Sequence, residues 1–285
     1  MPEGDTIFRT ARTLRRALCG EEITAAETRV PQLRRLGVRR LIGQTVEDVE
    51  SRGKHLLMWF APSGLALHTH MMLQGSWHTY RPGERWRKPE RLAKVVLTTP
   101  SATAVCFNAP VVELLARSQV ERHAALAALG PDALDPTADL AEARRRLDAD
   151  LDRPIGVALL DQRVLAGVGN VYRCEVLFLH GVDPWAPVGA VPPATRDDLL
   201  ATAERLLKAN VGPSSAPRVT TAAARGTYAP SHAYPTAAPA QRGPRHYVYG
   251  RARRPCLRCG TPVRLERQGD QARLTYWCPR CQPSG

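Results

Sequence analysis

The residues best suited to chemistry stand at the start of the chain, where Pro2 is followed by Glu3. Removal of Met1, which a small second residue permits, would leave Pro2 as a free secondary amine beside a carboxylate. An α-amino group has an ordinary pKa of about 7.7–8.0, so near neutral pH part of it is uncharged and able to attack an electrophilic carbon. Attack on an aldehyde-like sugar carbon gives an iminium ion, which favours elimination. Taken alone, the same residues are more typical of an ordinary chain terminus.

A second chemical group lies at the other end of the chain, where two CxxC pairs are separated by 18 residues. The four cysteines are Cys256, Cys259, Cys278 and Cys281. This spacing predicts a zinc ribbon, in which two turns place four thiolates tetrahedrally around one metal ion. Because four Cys ligands leave no open position for water or substrate, the predicted Zn²⁺ is structural. Disulfides are the poorer interpretation, since nothing predicts secretion to an oxidising compartment.

The charge balance indicates a polyanion as the binding partner. The chain has 285 residues, and 40 Lys and Arg against 27 Asp and Glu give a formal net charge of +13. Nucleic acid is the leading candidate, and an acidic membrane surface is the weaker one. There is no run of 18 or more apolar residues, and the N-terminus lacks the apolar stretch of a signal peptide. We therefore expect a cytosolic, nucleoid-associated protein that does not bind membranes.

The first element that must position these residues is an amphipathic helix predicted over 5–19. Its apolar residues Ile7, Ala11, Leu14 and Leu18 recur at helical spacing, while arginines occupy the other face. The positive N-terminal end of this helix would lie close to the Pro2 amine and disfavour its protonation.

Short runs after Gly20 predict β-strands, with Gly, Pro and Ser between them. Six candidates are Val46–Ser51, Leu56–Phe60, Leu65–His70, Ser76–Tyr80, Lys94–Thr98 and Ala104–Phe107. With one helix leading in, they indicate a two-layer β-sandwich or a barrel. From 111 to about 210 the pattern is helical, with candidates at Leu114–Ala128, Leu140–Leu151, Ile155–Gln162, Val171–His180 and Arg196–Asn210.

Two loops of the β-rich half carry candidate ligand-binding residues. Lys54 follows Gly53 between two predicted strands and supplies a compact charge suited to phosphate, although a solvated basic loop is the default interpretation of the local sequence. The stretch His70–Gly75, a predicted hairpin connection, carries Met-Met-Leu. Apolar side chains at such a tip either pack in the core, which is the default expectation, or wedge between stacked bases.

Two features of the second half could hold phosphate. Gly167 and Gly169 open a turn between predicted helices, and Asn170 stands where an N-cap residue belongs. Such a turn exposes N–H groups to an anion, but a plain capped helical hairpin has the same pattern. Between the cysteine pairs, residues 263–266 and 272–277 predict a β-hairpin carrying Arg273, which could clamp phosphate or remain solvated.

Together these features resemble the formamidopyrimidine-DNA glycosylase and endonuclease VIII family of DNA repair enzymes. The shared motifs are Pro2-Glu3-Gly4, the Arg-Gly-Lys loop ending at Lys54, the Gly-Val-Gly-Asn turn ending at Asn170, and Arg273 five residues before the third zinc-finger cysteine. The resemblance implies an α+β multidomain fold. Its parts would be an N-terminal β-sandwich with a leading helix over 1–115, a helix-two-turn-helix domain over 120–211 and a zinc finger over 246–285. The composition of 212–245 predicts a Pro/Ala-rich flexible linker between the last two parts.

The resemblance also implies site residues. The catalytic residues would be Pro2, Glu3, Lys54 and Arg273, and the DNA-binding residues would be Asn170, Met72, Leu73 and Gln74. Pro2 would form a Schiff base with the sugar C1′, and Glu3 would donate a proton. Lys54, Asn170 and Arg273 would grip phosphates beside an everted nucleotide, whose place in the stack Leu73 would fill.

One departure from the family pattern bears on substrate choice. The branch that acts on oxidised purines places an Arg-Phe pair in a second loop, and the corresponding stretch Phe107–Glu113 has neither residue in place. In this respect the chain is more similar to endonuclease VIII, which acts on oxidised pyrimidines and abasic sites.

The function expected from these features is that of a bifunctional DNA glycosylase and abasic-site lyase of base excision repair. It would be a monomer with one structural Zn²⁺, acting on damaged and abasic-site DNA and nicking the strand by β,δ-elimination. A non-catalytic zinc-containing binder of damaged or structured DNA would share the charge, the zinc ribbon and the phosphate-binding turn. A zinc-ribbon protein that binds RNA is a further alternative. Only the enzyme accounts for Pro2, Glu3, Lys54 and Arg273 occurring together.

Overall fold

The structure is a computed structural model that describes residues 2–35, 37–212 and 246–284. The predicted linker over 212–245 lies outside the described residues except for Gly212. The chain forms two compact units, residues 1–128 and 129–285. Among the described residues, no helix combines the length and the apolar character needed to cross a membrane.

The first unit begins with helix α1 (Gly4–Leu18), which is displaced by one residue from the predicted range. The four apolar residues that recur at helical spacing are all buried, while Arg15 and Arg16 on the opposite face are exposed. The amphipathic pattern therefore predicts both the helix and its buried face correctly. A short helix, α2 (Pro31–Arg35), follows later in the unit.

Eight strands follow α1 in the described part of this unit. In chain order, β1 to β8 are Ala25–Thr28, Thr45–Arg52, His55–Ala61, Leu65–His70, Ser76–Tyr80, Ala93–Thr98, Thr103–Phe107 and Val111–Ala116. One antiparallel sheet has the order β2-β3-β4-β8, and the other has the order β1-β6-β7-β5. Apolar residues of both sheets and of α1 share one buried core. The predicted β-sandwich with a leading helix is confirmed.

All six predicted strands are present, but β1 and β8 were not predicted. Residues 111–116 form β8, so the predicted helix over Leu114–Ala128 is wrong for its first part. Val112 and Leu114 are buried while their neighbours are less so, which is the period of two expected of a strand paired with β4. Only α3 (Arg117–Glu121) and α4 (Ala124–Ala127) are helical in that range.

The second unit contains four helices and a zinc-finger hairpin among its described residues. Its helices are α5 (Leu140–Leu147), α6 (Ile155–Ala158), α7 (Asn170–Leu179) and α8 (Pro193–Ala209), and its strands are β9 (Arg264–Gln268) and β10 (Arg273–Trp277). The predicted helices are all present, although α5 and α6 end earlier than predicted. Strands β9 and β10 pair antiparallel, as the sequence predicts.

Candidate active site and zinc centre

The first turn of α1 holds the Pro2-Glu3 pair. Glu3 is the N-cap residue of the helix, and its carbonyl oxygen accepts hydrogen bonds from the N–H groups of Thr6 (2.9 Å) and Ile7 (3.1 Å). The Glu3 residue is only 2% exposed, whereas Pro2 is half-buried. A carboxyl group withdrawn from water thus adjoins the residue whose amine the sequence singles out, at the positive end of a helix.

Lys54 lies in a tight turn between β2 and β3. Gly53 has a φ of +56°, in the left-handed region that favours glycine, and the paired residues Arg52 and His55 close the turn. Helix α1 packs against both strands. The pKa of His70 is lowered to about 4, mainly because its ring is partly buried and secondly because the positive charge of Lys54 is nearby. His70 is therefore neutral at neutral pH and adds no positive charge beside Lys54.

The segment His70–Gly75 connects two sheets, because β4 pairs with β3 and β8 while β5 pairs with β7. The predicted hairpin connection is therefore wrong. The neutral His70 Nδ1 accepts a hydrogen bond from the Met72 N–H at 3.2 Å. A Cβ on Gly75 would lie 2.6 Å from the Met71 carbonyl oxygen, so the tight return of this loop requires glycine.

The side chains of this loop divide into two groups. Met71 is 2% exposed and belongs to the core, as expected by default. Met72 and Leu73 are 46% and 62% exposed, and Gln74 is also exposed. Two large apolar side chains in water at a loop tip are unusual unless a partner covers them.

The connection between β7 and β8 consists of Asn108, Ala109 and Pro110. Asn108 has a φ of +51°, which fits a tight turn. Ala109 is 2% exposed and belongs to the core of the unit. This connection carries no Arg and no large apolar side chain.

Asn170 is the first residue of α7, and Gly169 is the N-cap. The predicted N-cap role of Asn170 is therefore wrong. Its side-chain Nδ2 donates to the Leu274 carbonyl oxygen in β10 at 2.7 Å, and it is 6% exposed. The side chain thus ties the start of α7 to the zinc-finger hairpin. The turn before it is held by Gln162, whose Nε2 donates to the Val168 carbonyl oxygen at 2.9 Å.

Arg273 begins β10 opposite Gln268. Its guanidinium donates through Nε (3.1 Å) and Nη2 (2.9 Å) to Gln271 Oε1, a bond at the exposed surface. The backbone carbonyl that Asn170 binds belongs to the next residue, Leu274. Within the second unit, the structure therefore places the Asn170 helix terminus beside the strand that carries Arg273.

The four cysteines of the predicted zinc ribbon converge. Their sulfur atoms all lie within 4.8 Å of one another, with Cys256 and Cys281 Sγ atoms 3.9 Å apart and Cys259 and Cys278 Sγ atoms 3.4 Å apart. Sulfur atoms bound tetrahedrally to one zinc at about 2.3 Å are separated by about 3.8 Å. The donor set and its spacing fit one structural Zn²⁺, as predicted.

Comparisons with known proteins identify the family. Residues 1–110 match the formamidopyrimidine-DNA glycosylase N-terminal domain, residues 129–217 match the formamidopyrimidine-DNA glycosylase H2TH domain, and residues 254–283 match a zinc finger found in FPG and IleRS. The chain is 44% identical over 285 residues to the Streptomyces coelicolor protein named "Probable endonuclease 8 2", covering 99% of this chain and 94% of that protein. The chain belongs to the formamidopyrimidine-DNA glycosylase and endonuclease VIII family.

Further relatives and solved structures agree with this family. The Mycolicibacterium smegmatis protein named DNA-(apurinic or apyrimidinic site) lyase Nei2 is 41% identical over 283 residues, with 99% of each chain covered. A Lactococcus lactis FPG mutant in complex with a Fapy-dG containing DNA has a similar fold, with a TM-score of 0.79 at 22% identity over 99% of this chain and 100% of that one. The multidomain fold implied by the family resemblance is therefore confirmed.

The sequence analysis missed two charged residues of this chain that position α7. Arg173 is fully buried and donates to Thr275 Oγ1 at 2.8 Å and to the Leu274 carbonyl oxygen at 3.1 Å. Glu175, also fully buried, accepts the backbone N–H groups of residues 247 to 249 at 2.8 to 2.9 Å. The available signal was two opposite charges in an otherwise apolar helix, because such groups are buried only with partners.

Proposed function

We propose that this chain is a bifunctional DNA glycosylase and abasic-site lyase that removes oxidised bases, pyrimidines above all, and nicks the strand by β,δ-elimination. The observation that carries the proposal is Pro2 adjoining a Glu3 that is 2% exposed at the first turn of α1. The name of the 41% identical relative, a DNA-(apurinic or apyrimidinic site) lyase, supports the same chemistry. Solved structures of the same fold hold damaged or abasic-site DNA, which supports DNA as the partner.

In the proposed reaction, the Pro2 nitrogen is the nucleophile. It attacks the sugar C1′ while the base departs with a proton supplied by Glu3. The nitrogen then loses its proton, the C1′–O4′ bond breaks as O4′ takes up a proton, and the sugar ring opens to an iminium ion. This ion withdraws electrons, so a C2′ proton is lost and the 3′ phosphate leaves. A second elimination releases the 5′ phosphate, and water then frees the amine. The reaction requires the nucleotide to be everted, at a cost of a few kcal/mol that damaged pairs lower.

The proposed roles of Lys54, Asn170 and Arg273 are to hold the phosphates beside the everted nucleotide. The direction of α1 supports the role of Lys54. Arg15 in the last turn of α1 is bonded to Asp48 in the first half of β2 at 2.7 Å. Because α1 packs along β2, the first turn of α1 lies toward the C-terminal end of β2, and Lys54 follows that end. The exposed side chain of Leu73 supports its role as the wedge, flanked by Met72 and Gln74.

Two further parts of the proposal concern preference and location. The short connection between β7 and β8 supports a preference for oxidised pyrimidines, because it lacks the Arg-Phe pair of the purine-specific branch. The net charge of +13 supports association with chromosomal DNA in the nucleoid.

Borohydride trapping on DNA with one abasic site tests the proposal. The wild-type chain should form a covalent adduct, whereas a protein that retains Met1 should bind the same DNA without being trapped. Pro2→Gly should trap much less, because a primary amine gives a neutral imine that must first be protonated, whereas the secondary amine gives the iminium ion directly. Pro31→Ala, which changes an exposed proline at the start of α2, serves as the matched control and should trap normally. Absence of a wild-type adduct, with DNA binding intact, would instead favour the non-catalytic DNA-binding protein.

A further inference from the structure

A cluster of two histidines and a glutamate lies in the first unit, apart from the four cysteines. His68 lies in β4 directly opposite Glu113 in β8, and His123 lies between α3 and α4. His68 Nδ1 is 2.8 Å from Glu113 Oε2, and His123 Nε2 is 3.1 Å from the same oxygen. One donor atom from each of the three residues lies within 4.8 Å of the others.

From this geometry we propose that His68, Glu113 and His123 bind one divalent transition-metal ion of the Zn²⁺ class, in addition to the zinc held by the four cysteines. Imidazole nitrogen suits zinc, nickel and copper, and a carboxylate oxygen completes a common zinc ligand set. None of the three residues takes part in the proposed reaction at Pro2. The proposal therefore does not depend on the DNA chemistry.

The arrangement of the two imidazole rings fits a shared ion. Their centroids are 5.1 Å apart with an interplanar angle of 70°. Two imidazoles bound tetrahedrally to one zinc, each through a Zn–N bond of about 2.0–2.1 Å, would have centroids about 5.2 Å apart. Ligand atoms on that zinc would lie about 3.3 Å apart, so the carboxylate has to withdraw by a few tenths of an ångström.

Burial and exposure divide the cluster in a way that suits metal binding. The side chain of His68 is 1% exposed, whereas those of Glu113 and His123 are 40% and 22% exposed. The buried ring gives a rigid base, and the half-exposed carboxylate can move and leaves a path for the ion. With three protein ligands, the fourth position remains open to water.

A neighbouring histidine would orient the buried ligand. His55 Nδ1 lies 2.9 Å from His68 Nε2, the ring nitrogen that does not face Glu113. If His68 bound metal through Nδ1, its Nε2–H would donate to His55 Nδ1. Metal-binding histidines are commonly held by such a bond on the second nitrogen, which fixes the tautomer and the ring orientation.

Metal content and cobalt spectroscopy on the full chain test this site. After zinc loading and gel filtration, wild-type protein should contain two zinc ions per chain by elemental analysis. Cobalt(II) added to protein with zinc on the cysteines should give visible d–d bands without the thiolate charge-transfer band. Glu113→Gln and His123→Gln, both at partly exposed positions, should contain one zinc ion per chain. They should bind cobalt at least about 10- to 100-fold more weakly than wild type, because loss of a hydrogen-bond partner of a metal ligand alone has an effect of that size.

His78→Gln is the matched control, because His78 belongs to the same unit and bonds Tyr80 rather than the cluster. It should keep two zinc ions. One zinc per folded wild-type chain, or undiminished cobalt affinity in Glu113→Gln, would overturn the proposal and leave a hydrogen-bonded His-Glu-His group only.

Discussion

At the scale of single residues, the two neighbouring residues at the start of α1 are proposed to serve different steps, Schiff-base formation and base removal. In the proposed reaction, Pro2 provides the amine and the buried Glu3 provides the carboxyl group. Only removal of a base requires an acid that protonates the departing group, because an abasic site has no base to lose. We therefore expect substitution of Pro2 to impair Schiff-base formation and substitution of Glu3 to impair base removal.

The variant Glu3→Gln should lose base excision but keep the Schiff base. Removal of the acid is expected to lower excision of an oxidised pyrimidine by about 10²- to 10⁴-fold, whereas trapping on abasic DNA should persist. Single-turnover excision and borohydride trapping of the same preparation measure the two steps. Glu50→Gln, which changes a partly buried carboxylate of the same unit, is the control. Equal loss of both steps would argue against a proton-donating role for Glu3.

At the scale of elements, the connection from β4 to β5 illustrates how one short loop serves packing and binding. Met71 anchors it in the core, and Gly75 permits its close return. The residues between are thereby held out in solvent. An exposed leucine at such a position adds nothing to the core, so its apolar surface is available to a partner.

Leu73→Ala should therefore leave stability unchanged and weaken action on duplex DNA. Loss of the 62% exposed side chain should alter the free energy of unfolding by less than about 0.5 kcal/mol. Cleavage of a lesion in duplex DNA should fall by about 10-fold or more, because nothing then fills the space left by the everted base. Leu151→Ala is the control, because it removes another exposed leucine, which is 48% exposed and lies in the second unit. This variant should cleave DNA normally. Thermal melts measure the stability of both variants, and cleavage assays measure their action on duplex DNA. Cleavage by Leu73→Ala equal to that by Leu151→Ala would exclude the wedge role of Leu73.

At the scale of the whole molecule, the zinc centre and α7 of the second unit depend on each other. Cys256 and Cys278 pack in one apolar cluster with Cys174 and Phe178 of α7. Asn170 and Arg173 bond the backbone of β10. The metal therefore helps to position both proposed phosphate-binding groups, Asn170 and Arg273, although neither touches it.

Removal of the zinc should abolish DNA cleavage. In Cys256→Ser, or after chelation, loss of the metal should release the hairpin that presents Arg273. Cleavage should fall to background and, after chelation, return when Zn²⁺ is restored. Cys19→Ser changes a half-buried thiol outside the cluster and should retain both zinc and activity. Zinc content and cleavage are measured on the same samples, and a fully active metal-free protein would contradict this coupling.

Local patterns were sufficient for the features whose geometry is local. The CxxC spacing predicts that each pair of thiolates meets in one turn, and helical spacing predicts the buried face of α1. The motif residues Pro2, Lys54 and Asn170 could be proposed as site residues from the sequence, because their motifs together resemble those of one enzyme family.

Only the tertiary structure decided which distant residues meet. Strand β8 is a strand because β4 offers it an edge to pair with, and its own residues resemble a helix equally well. Asn170 bonds β10 rather than capping its own helix, and the His68-Glu113-His123 cluster joins residues far apart along the chain. The physical reason is that periodicity reports which face of an element is buried, whereas the partner that covers it is selected by packing across the whole unit.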